Sequence, residues 1–204
     1  MLPSYDLEVI TGRLAGRAAE LDSSSPDRQA AVAAILRAPA APAAPATGAE
    51  AEVLLVRRAE RAGDPWSGHM AFPGGRRDPA DANLLATAVR ETFEEIGLDL
   101  NAHGTLLARL PDVPATARGR RVGMVIAPFV FTLRSTPELT PNHEIAEVLW
   151  TPLGPLARGE LDATTPYEHE GQRFQLPCYR VGERVVWGLT HRMLVLLFEA
   201  LHAV

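Results

Sequence analysis

Apolar residues recur at two different spacings along this chain, and the spacing predicts where helices and strands lie. Leu7, Ile10 and Leu14 are separated by three and four positions, so residues 4–21 are predicted to form an amphipathic helix, ended by the polar run DSSSPDRQ. Longer apolar runs predict strands at 30–37, 52–58, 104–110 and 122–133. Shorter strands are predicted at 148–150, 167–169, 173–176 and 185–187.

The last apolar segment, LTHRMLVLLFEAL at 189–201, predicts a helix. A membrane span takes roughly 20 apolar residues, so this helix is too short to cross a bilayer and is expected to pack onto a sheet. Because strands and helices do not follow strict βαβ order, the expected fold class is α/β, with a mixed β-sheet sandwiched between α-helices. We expect one domain over residues 1–204, with an N-terminal helix and linker at 1–28.

The segment between the first two predicted strands, residues 38–51, is rich in alanine and proline. Proline has no N–H to donate to a sheet, and alanine side chains are too small to build a core. The segment is therefore expected to form an exposed, semi-extended hairpin loop.

The composition is that of a soluble globular protein, with 47% hydrophobic and 22% charged residues. The single cysteine, Cys178, excludes an intrachain disulfide and a cysteine-based zinc site. A net charge of −5 argues against general nucleic-acid binding, and the sequence shows neither a signal peptide nor a membrane span. We therefore expect a cytoplasmic protein with no nucleic-acid or membrane partner; a homodimer is left open. All 20 residues counted as Lys or Arg are arginine, which excludes a catalytic lysine.

The residues that suggest chemistry lie between 64 and 100. The turn FPGG at 72–75 follows a short predicted strand, and its glycines allow close backbone approach. A helix is predicted to start near Ala82 or Asn83 and to end at Gly97, which is suited to a left-handed C-cap.

This helix concentrates negative charge near its C-terminal end. Glu91 and Glu95 share one face, and Glu94 lies beside them. Three neighbouring carboxylates repel one another, and the helix dipole disfavours anions at this end. The pattern therefore favours a bound cation, and carboxylate oxygens suit a hard divalent ion such as Mg²⁺ or Mn²⁺. Arg90 is able to brace one of the carboxylates through a bidentate contact.

Together these residues resemble the signature of the Nudix hydrolase family, a glycine followed by five residues, a glutamate, seven residues and R-E-U-x-E-E-x-G-U, where U is a bulky aliphatic residue. Gly75 matches the opening glycine, and Arg90-Glu91, Glu94-Glu95 and Gly97-Leu98 match in register, so the box covers about 75–98. The sequence departs from the pattern in three places. Asp81 stands where the pattern has its first glutamate, and eight residues instead of seven separate it from Arg90. Thr92 occupies a position that is usually aliphatic.

The resemblance implies the Nudix fold and hydrolysis of a nucleoside diphosphate linked to a variable group. It implies Glu91 and Glu95 as Mg²⁺ or Mn²⁺ ligands, Glu94 as a third or water-mediated ligand, and the Gly75 carbonyl as a further one. The resemblance also implies that Arg90 is one of the catalytic residues. The general base is either Glu91 or Glu144, which lies in the segment PNHE.

Three segments outside the box are similar to coenzyme A diphosphatases of this family. The upstream one is VLLVRRAERAGDPWSGHMAFPGG, in which Asp64 stands where that pattern has an arginine. The downstream ones are PNHEIAEV and the later VVWGLT. This similarity implies hydrolysis of coenzyme A or acyl-coenzyme A to 3′,5′-ADP and the corresponding 4′-phosphopantetheine.

The substrate contacts expected from the sequence fall in two groups. Because the chain has no lysine, phosphate contacts are expected from arginines, namely Arg57, Arg58 and Arg61. Further contacts are expected from Phe72, Gly74, Gly75 and Asp81. Two alternatives stay open. One is the same reaction on ADP-ribose, a nucleotide sugar, NADH or a nucleoside triphosphate, and the other is a binding module without turnover.

Overall fold

The computed structural model describes residues 4–15, 21–25, 27–39, 49–117 and 120–203. Its helices are α1 (Leu7–Leu14), α2 (Leu84–Ile96), α3 (Leu100–His103), α4 (Leu153–Ala157) and α5 (Gly188–His202). Its strands are β1 (Arg28–Arg37), β2 (Glu52–Arg58), β3 (Met70–Ala71), β4 (Gly74–Arg76), β5 (Gly104–Arg109), β6 (Val113–Ala117), β7 (Arg120–Leu133), β8 (Ile145–Pro152), β9 (Asp162–His169), β10 (Gln172–Val181) and β11 (Arg184–Trp187). Every strand predicted from the sequence is present.

The large sheet is mixed, as predicted. Strand β1 runs parallel to β7, from the pair Arg28–Met124 to the pair Leu36–Thr132. On its other edge β1 pairs antiparallel with both β2 and β4. Strands β5 and β6 pair with β7, and β3 and β8 pair with β2. The parallel pair is buried from both sides, which explains the nearly continuous apolar run of β7.

Helices cover both faces of this sheet, and side chains of β1 alternate between the two layers. Ala31, Ala33 and Ile35 pack in the cluster that contains the apolar face of α2. Val32 and Leu36 pack in the opposite cluster with α1 and α5. The predicted sandwich of a mixed sheet between helices is therefore confirmed. Among the described residues, no helix combines the length and the apolar character needed to cross a membrane.

The chain changes strand partners within FPGG, and this change positions the site. Before the turn, β3 pairs with β2 through Met70 and Arg57, whereas after it β4 pairs with β1 through Gly74 and Val32. Pro73 lies between them and accepts the Ala33 N–H through its carbonyl oxygen at 2.8 Å. The two glycines that follow are thereby brought beside α2.

Helix α2 begins and ends as the sequence predicts. The Asn83 side-chain oxygen accepts the Ala86 N–H at 2.9 Å, and Gly97 ends the helix with φ 70°. Thr92, which departs from the aliphatic residue of the family pattern, is fully buried. Its hydroxyl donates to the Ala88 carbonyl at 2.7 Å, so the hydroxyl is satisfied inside the core.

Other expectations need correction. The first helix ends at Leu14, because Ala15 turns to an extended ψ of 137°; the rest of the predicted span includes residues 16–20, which lie outside the described residues. Most of the predicted alanine- and proline-rich loop, residues 40–48, also lies outside them. Strands β9 to β11 form a separate antiparallel sheet, which the sequence pattern did not distinguish from the first. The short strand predicted before FPGG is present as β3, whereas β4, β6, α3 and α4 were not predicted, because they carry too few residues to show a period.

Candidate active site

A cavity of about 560 Å³ brings together most of the predicted site residues. Its polar lining includes Arg58, Arg61, Asp64, Glu91, Glu95 and Glu144, together with Gly74 and Gly75 of β4. Its apolar lining includes Phe72, Met70, Met124, Ile126, Met193, Trp187 and Leu189. Residues from α2, the FPGG turn, the loop after β2 and the start of α5 therefore meet at one place.

Glu95 is the most deeply buried carboxylate of the site, with 4% of its surface exposed. Its Oε2 accepts the Gly74 N–H at 2.9 Å. Burial raises the pKa of Glu95 to about 7, and the Gly74 N–H and Arg58 offset only part of that rise. Glu91 and Glu144 add negative charge nearby and raise the pKa further. A buried carboxylate in this state favours a cation beside it.

Glu91 lies one turn earlier on the same helix and also lines the cavity. Burial raises its pKa, although Arg90 donates to its Oε1 at 2.9 Å and acts in the opposite direction. The backbone of Gly75 lies directly against this carboxylate, since a Cβ on Gly75 would come within 2.5 Å of the Glu91 Cδ. Any larger residue at 75 would therefore displace Glu91.

Glu94 lies apart from these two carboxylates. Its side chain is 54% exposed, is paired with Arg90 at 3.1 Å and does not line the cavity. The structure thus brings Glu91 and Glu95 together in the cavity, whereas Glu94 lies outside it.

Arg90 and Asp81 form a bidentate ion pair behind the cavity. The Arg90 Nε and Nη2 donate to the two Asp81 carboxylate oxygens, both at 2.9 Å. Asp81 also accepts the Thr87 hydroxyl at 2.8 Å and the Asp78 N–H at 2.9 Å. These contacts, led by Arg90, hold the pKa of Asp81 well below its usual range. Asp81 therefore braces the arginine that contacts Glu91. It does not line the cavity, in contrast to the substrate contact predicted for it.

We expect Asp81→Asn to lower the free energy of unfolding by about 1–3 kcal/mol at pH 7, because it removes a buried charge-assisted pair. The folded protein stabilises the ionised form of Asp81. The stability that Asp81 adds is therefore complete at pH values above the ordinary aspartate pKa, and it is lost as the pH falls through the lower pKa that Asp81 has in the folded protein. Urea unfolding at pH 7 and pH 3 measures the difference.

Asp78→Asn is the matched control, because it removes the same charge from the same turn without a side-chain contact to Arg90. A stability loss for Asp81→Asn no larger than that of this control would contradict the bracing role.

The loop between β7 and β8 places Glu144 at the cavity. Its carbonyl accepts the Ala59 N–H at 2.7 Å, and its side chain is 43% exposed. Arg61, which is 73% exposed, donates to the Glu144 Oε1 at 3.3 Å. Glu144 and Arg61 therefore meet at the solvent side of the cavity.

The three predicted arginines have different surroundings. Arg58 lines the cavity and donates to Asp64 at 2.7 Å, while its buried Nε has no hydrogen-bond partner among the described residues. Arg57 lies outside the cavity, with its Nε 3.6 Å from Glu147, which Arg184 also binds. The structure thus brings Arg58 and Arg61 to the site and not Arg57.

His69 and Trp187, which are not among the predicted site residues, line the cavity side by side. The rings of His69 and Trp187 lie 4.8 Å apart between centroids, and Tyr167 lies 5.6 Å from Trp187. Burial lowers the pKa of His69 and thereby favours the neutral form of its ring. The sequence signals were the place of His69 next to FPGG and the segment VVWGLT, but a structural role was the favoured interpretation of both residues.

The oxygen donors of this cavity suit a hard divalent ion. Two carboxylates, Glu91 and Glu95, line it beside Gly75. Among the described residues, no three His, Cys, Asp or Glu side chains converge closely enough to hold an ion by themselves. Mg²⁺ is commonly held by one or two carboxylates, with water and substrate phosphates completing its shell. The residues present therefore fit an open site of this kind.

Comparison with known proteins identifies relatives that are similar to this chain in sequence. The human protein named mitochondrial coenzyme A diphosphatase is 34% identical over 141 residues, which are 68% of this chain and 58% of that protein. The Caenorhabditis elegans protein named peroxisomal coenzyme A diphosphatase is 35% identical over 103 residues, which are 50% of this chain and 41% of that protein. The chain therefore spans less than two thirds of the length of these relatives.

The fold and the sequence lead to the same family. The crystal structure of a NUDIX hydrolase from Alicyclobacillus acidocaldarius matches with a TM-score of 0.50 at 20% identity, covering 89% of this chain and 95% of that one. A family model described as NUDIX domain matches residues 36–169, from the end of β1 to the end of β9. Since this match includes FPGG, α2 and the Glu144 loop and spans more than half of the chain, the protein belongs to the NUDIX family.

Proposed function

We propose that this protein hydrolyses the diphosphate linkage of coenzyme A or an acyl-coenzyme A, giving 3′,5′-ADP and 4′-phosphopantetheine or its acyl derivative. The observation that carries the proposal is that one cavity holds the buried Glu95 carboxylate, the partly buried Glu91 carboxylate and the accessible Glu144 carboxylate together with Arg58 and Arg61. The relatives named coenzyme A diphosphatases support the choice of substrate. The substrate is thus a small nucleotide diphosphate.

Proteins of this family generally use a divalent metal ion. Glu91 and Glu95 would hold Mg²⁺ or Mn²⁺, with the Gly75 carbonyl as a further ligand. The bound ion would neutralise charge on the diphosphate and lower the pKa of a water molecule. Glu94 is proposed only as a water-mediated ligand, because its side chain is exposed and paired with Arg90.

The remaining roles fall to side chains that line the cavity. The guanidinium groups of Arg58 and Arg61 are suited to bidentate contact with phosphate oxygens. Glu144 is proposed as the general base, with Glu91 as the alternative. Water adds across the linkage: its oxygen bonds to phosphorus, the P–O bond to the bridging oxygen breaks, and the water proton passes to the Glu144 carboxylate.

The test is a substrate panel with Mg²⁺ and with Mn²⁺, using coenzyme A, acetyl-coenzyme A, ADP-ribose, NADH, a nucleotide sugar and a nucleoside triphosphate. We expect the coenzyme A compounds to give the highest kcat/KM, with 3′,5′-ADP as a product identified by chromatography. The Glu95→Gln protein, prepared in the same way, measures the background from contaminating enzymes.

Each other outcome selects an alternative. If the protein hydrolyses ADP-ribose or another diphosphate but not coenzyme A, coenzyme A is rejected as the substrate and diphosphate hydrolysis remains the proposed reaction. The mismatch at Asp64, which pairs with Arg58 and stands where the coenzyme A pattern has an arginine, is the observation that favours this alternative. Binding of a nucleotide without turnover of any compound would support a binding module.

The cytoplasmic location and the open question of a homodimer stay predictions. The two relatives carry names that refer to mitochondria and peroxisomes, so those names do not support a cytoplasmic location for this chain.

A further inference from the structure

Asn142 uses all of its hydrogen-bonding groups between α2 and the loop that carries Glu144. Its backbone N–H donates to the Glu95 carbonyl at 2.8 Å, and its side-chain Nδ2 donates to the Glu94 carbonyl at 2.9 Å. Its Oδ1 accepts the Glu144 N–H at 2.8 Å, and its carbonyl accepts the Ile145 N–H at 3.2 Å. One residue thus caps the end of α2 and fixes the backbone of Glu144.

These contacts join two parts of the site that are far apart in sequence. The last carbonyls of a helix have no partner within it, and Asn142 supplies donors to two of them at the end that carries Glu91 and Glu95. Among the described residues, Glu144 makes two further hydrogen bonds: its carbonyl accepts the Ala59 N–H, and its side chain accepts from the exposed Arg61. The position of Glu144 relative to α2 therefore depends mainly on Asn142.

We propose that Asn142 is a positioning residue, which holds the Glu144 carboxylate in register with the carboxylates of α2. The inference rests on the proposed function, in which Glu144 accepts the proton of the attacking water. An asparagine is suited to this place because it combines a donor for the helix carbonyl with an acceptor for the Glu144 N–H. An aspartate would keep the acceptor, lose the donor and place a negative charge at the negative end of the helix dipole.

The test is a double-mutant cycle of Asn142→Ala and Glu144→Gln on whichever diphosphate of the panel is hydrolysed fastest. We expect Asn142→Ala to lower kcat by about 10- to 100-fold, with a smaller change in KM, because the base is misplaced. In the Glu144→Gln background the same change is expected to lower kcat by about twofold or less. Equal losses in the two backgrounds would overturn the proposal.

Asn83→Ala is the matched control, because Asn83 caps the other end of the same helix and does not line the cavity. We expect it to lower the melting temperature about as much as Asn142→Ala while leaving kcat within about twofold of the wild type. A comparable loss of kcat in both variants would mean that helix stability, and not the position of Glu144, determines the rate.

Hydrogen exchange provides a readout that does not depend on the reaction. The Glu144 amide is expected to exchange faster in Asn142→Ala than in the wild type or Asn83→Ala, and to keep its protection in Asn142→Asp, which retains the acceptor. Unchanged exchange in Asn142→Ala would overturn the proposal even if the protein hydrolyses none of the compounds. Faster exchange without turnover of any compound would reject the proposed function and leave the structural link intact.

Discussion

Glu95→Gln is expected to lower kcat/KM for the best diphosphate substrate by about 10³-fold or more. Glu95 is a buried carboxylate of the cavity, and its charge is proposed to hold the metal ion that stabilises the transition state. Such stabilisation amounts to several kcal/mol, and about 4 kcal/mol corresponds to a factor of 10³. Steady-state kinetics over a range of Mg²⁺ concentrations measures the effect.

The same variant is expected to be at least as stable as the wild type when no metal is present. The folded pKa of Glu95 is raised above its ordinary value to about 7, so ionisation of this group costs stability as pH rises from about 4.5 to 7. At pH 8 we expect the metal-free variant to exceed the wild type by about 1–3 kcal/mol in unfolding free energy, and at pH 4 by little. Added Mg²⁺ should stabilise the wild type and not the variant.

Glu94→Gln is the comparison, since it removes an equal charge from the neighbouring position of the same helix. Glu94 is exposed and does not line the cavity, so we expect Glu94→Gln to lower kcat/KM less than Glu95→Gln does. Turnover by Glu95→Gln within tenfold of the wild type would contradict the proposed role of Glu95. An equal loss for both variants would establish Glu94 as a direct ligand.

Gly74→Ala is expected to lower the free energy of unfolding by about 3 kcal/mol or more. Gly74 has φ 148°, and an added Cβ would lie 2.6 Å from the Val32 Cα and closer still to the Ala31 carbonyl oxygen. Both atoms belong to the backbone of β1 and cannot move aside without breaking its pairing with β4. Chemical denaturation measures the loss. Gly123→Ala is the control, because Gly123 also has positive φ but nothing within 4 Å of an added Cβ.

Gly75→Ala tests the same turn with a different expected outcome. Here the three atoms nearest to the added Cβ all belong to the Glu91 carboxylate, which is the end of a flexible side chain. We expect stability close to that of the wild type and activity lowered by about 10- to 100-fold, because Glu91 is displaced. A stable Gly74→Ala protein, or a Gly75→Ala protein with full activity, would contradict the close packing of β4 against β1 and α2.

The elements that could be predicted from the sequence are those with a strong local signal. The sequence predicted that α2 starts near Ala82 or Asn83 and ends at Gly97, and the apolar runs predicted the long strands of the large sheet. The spacing of Glu91 and Glu95 predicted that they share one face of a helix, and both line the cavity. These features depend on residues within one or two helical turns.

Other site features depend on contacts between distant segments. Asp81 appeared as a mismatch to the family pattern, and its pairing with Arg90 became visible only where the longer loop folds back on the helix. Arg57 and Arg58 are neighbours in sequence, yet Glu147 holds one outside the cavity and the other lines it. Asn142 matched the family pattern without a role until the end of α2 was placed beside its loop.

The sequence by itself determined the family, the sandwich of a mixed sheet between helices, and the two carboxylates at helical spacing, because periodicity, capping and turn chemistry are local properties of the chain. Only the tertiary structure decided which arginines reach the cavity, which carboxylate stays outside it and which residue fixes Glu144. Those outcomes depend on burial and on hydrogen bonds between segments, such as the 2.9 Å contact from the Gly74 N–H to Glu95, and the spacing of residues along one segment does not encode them.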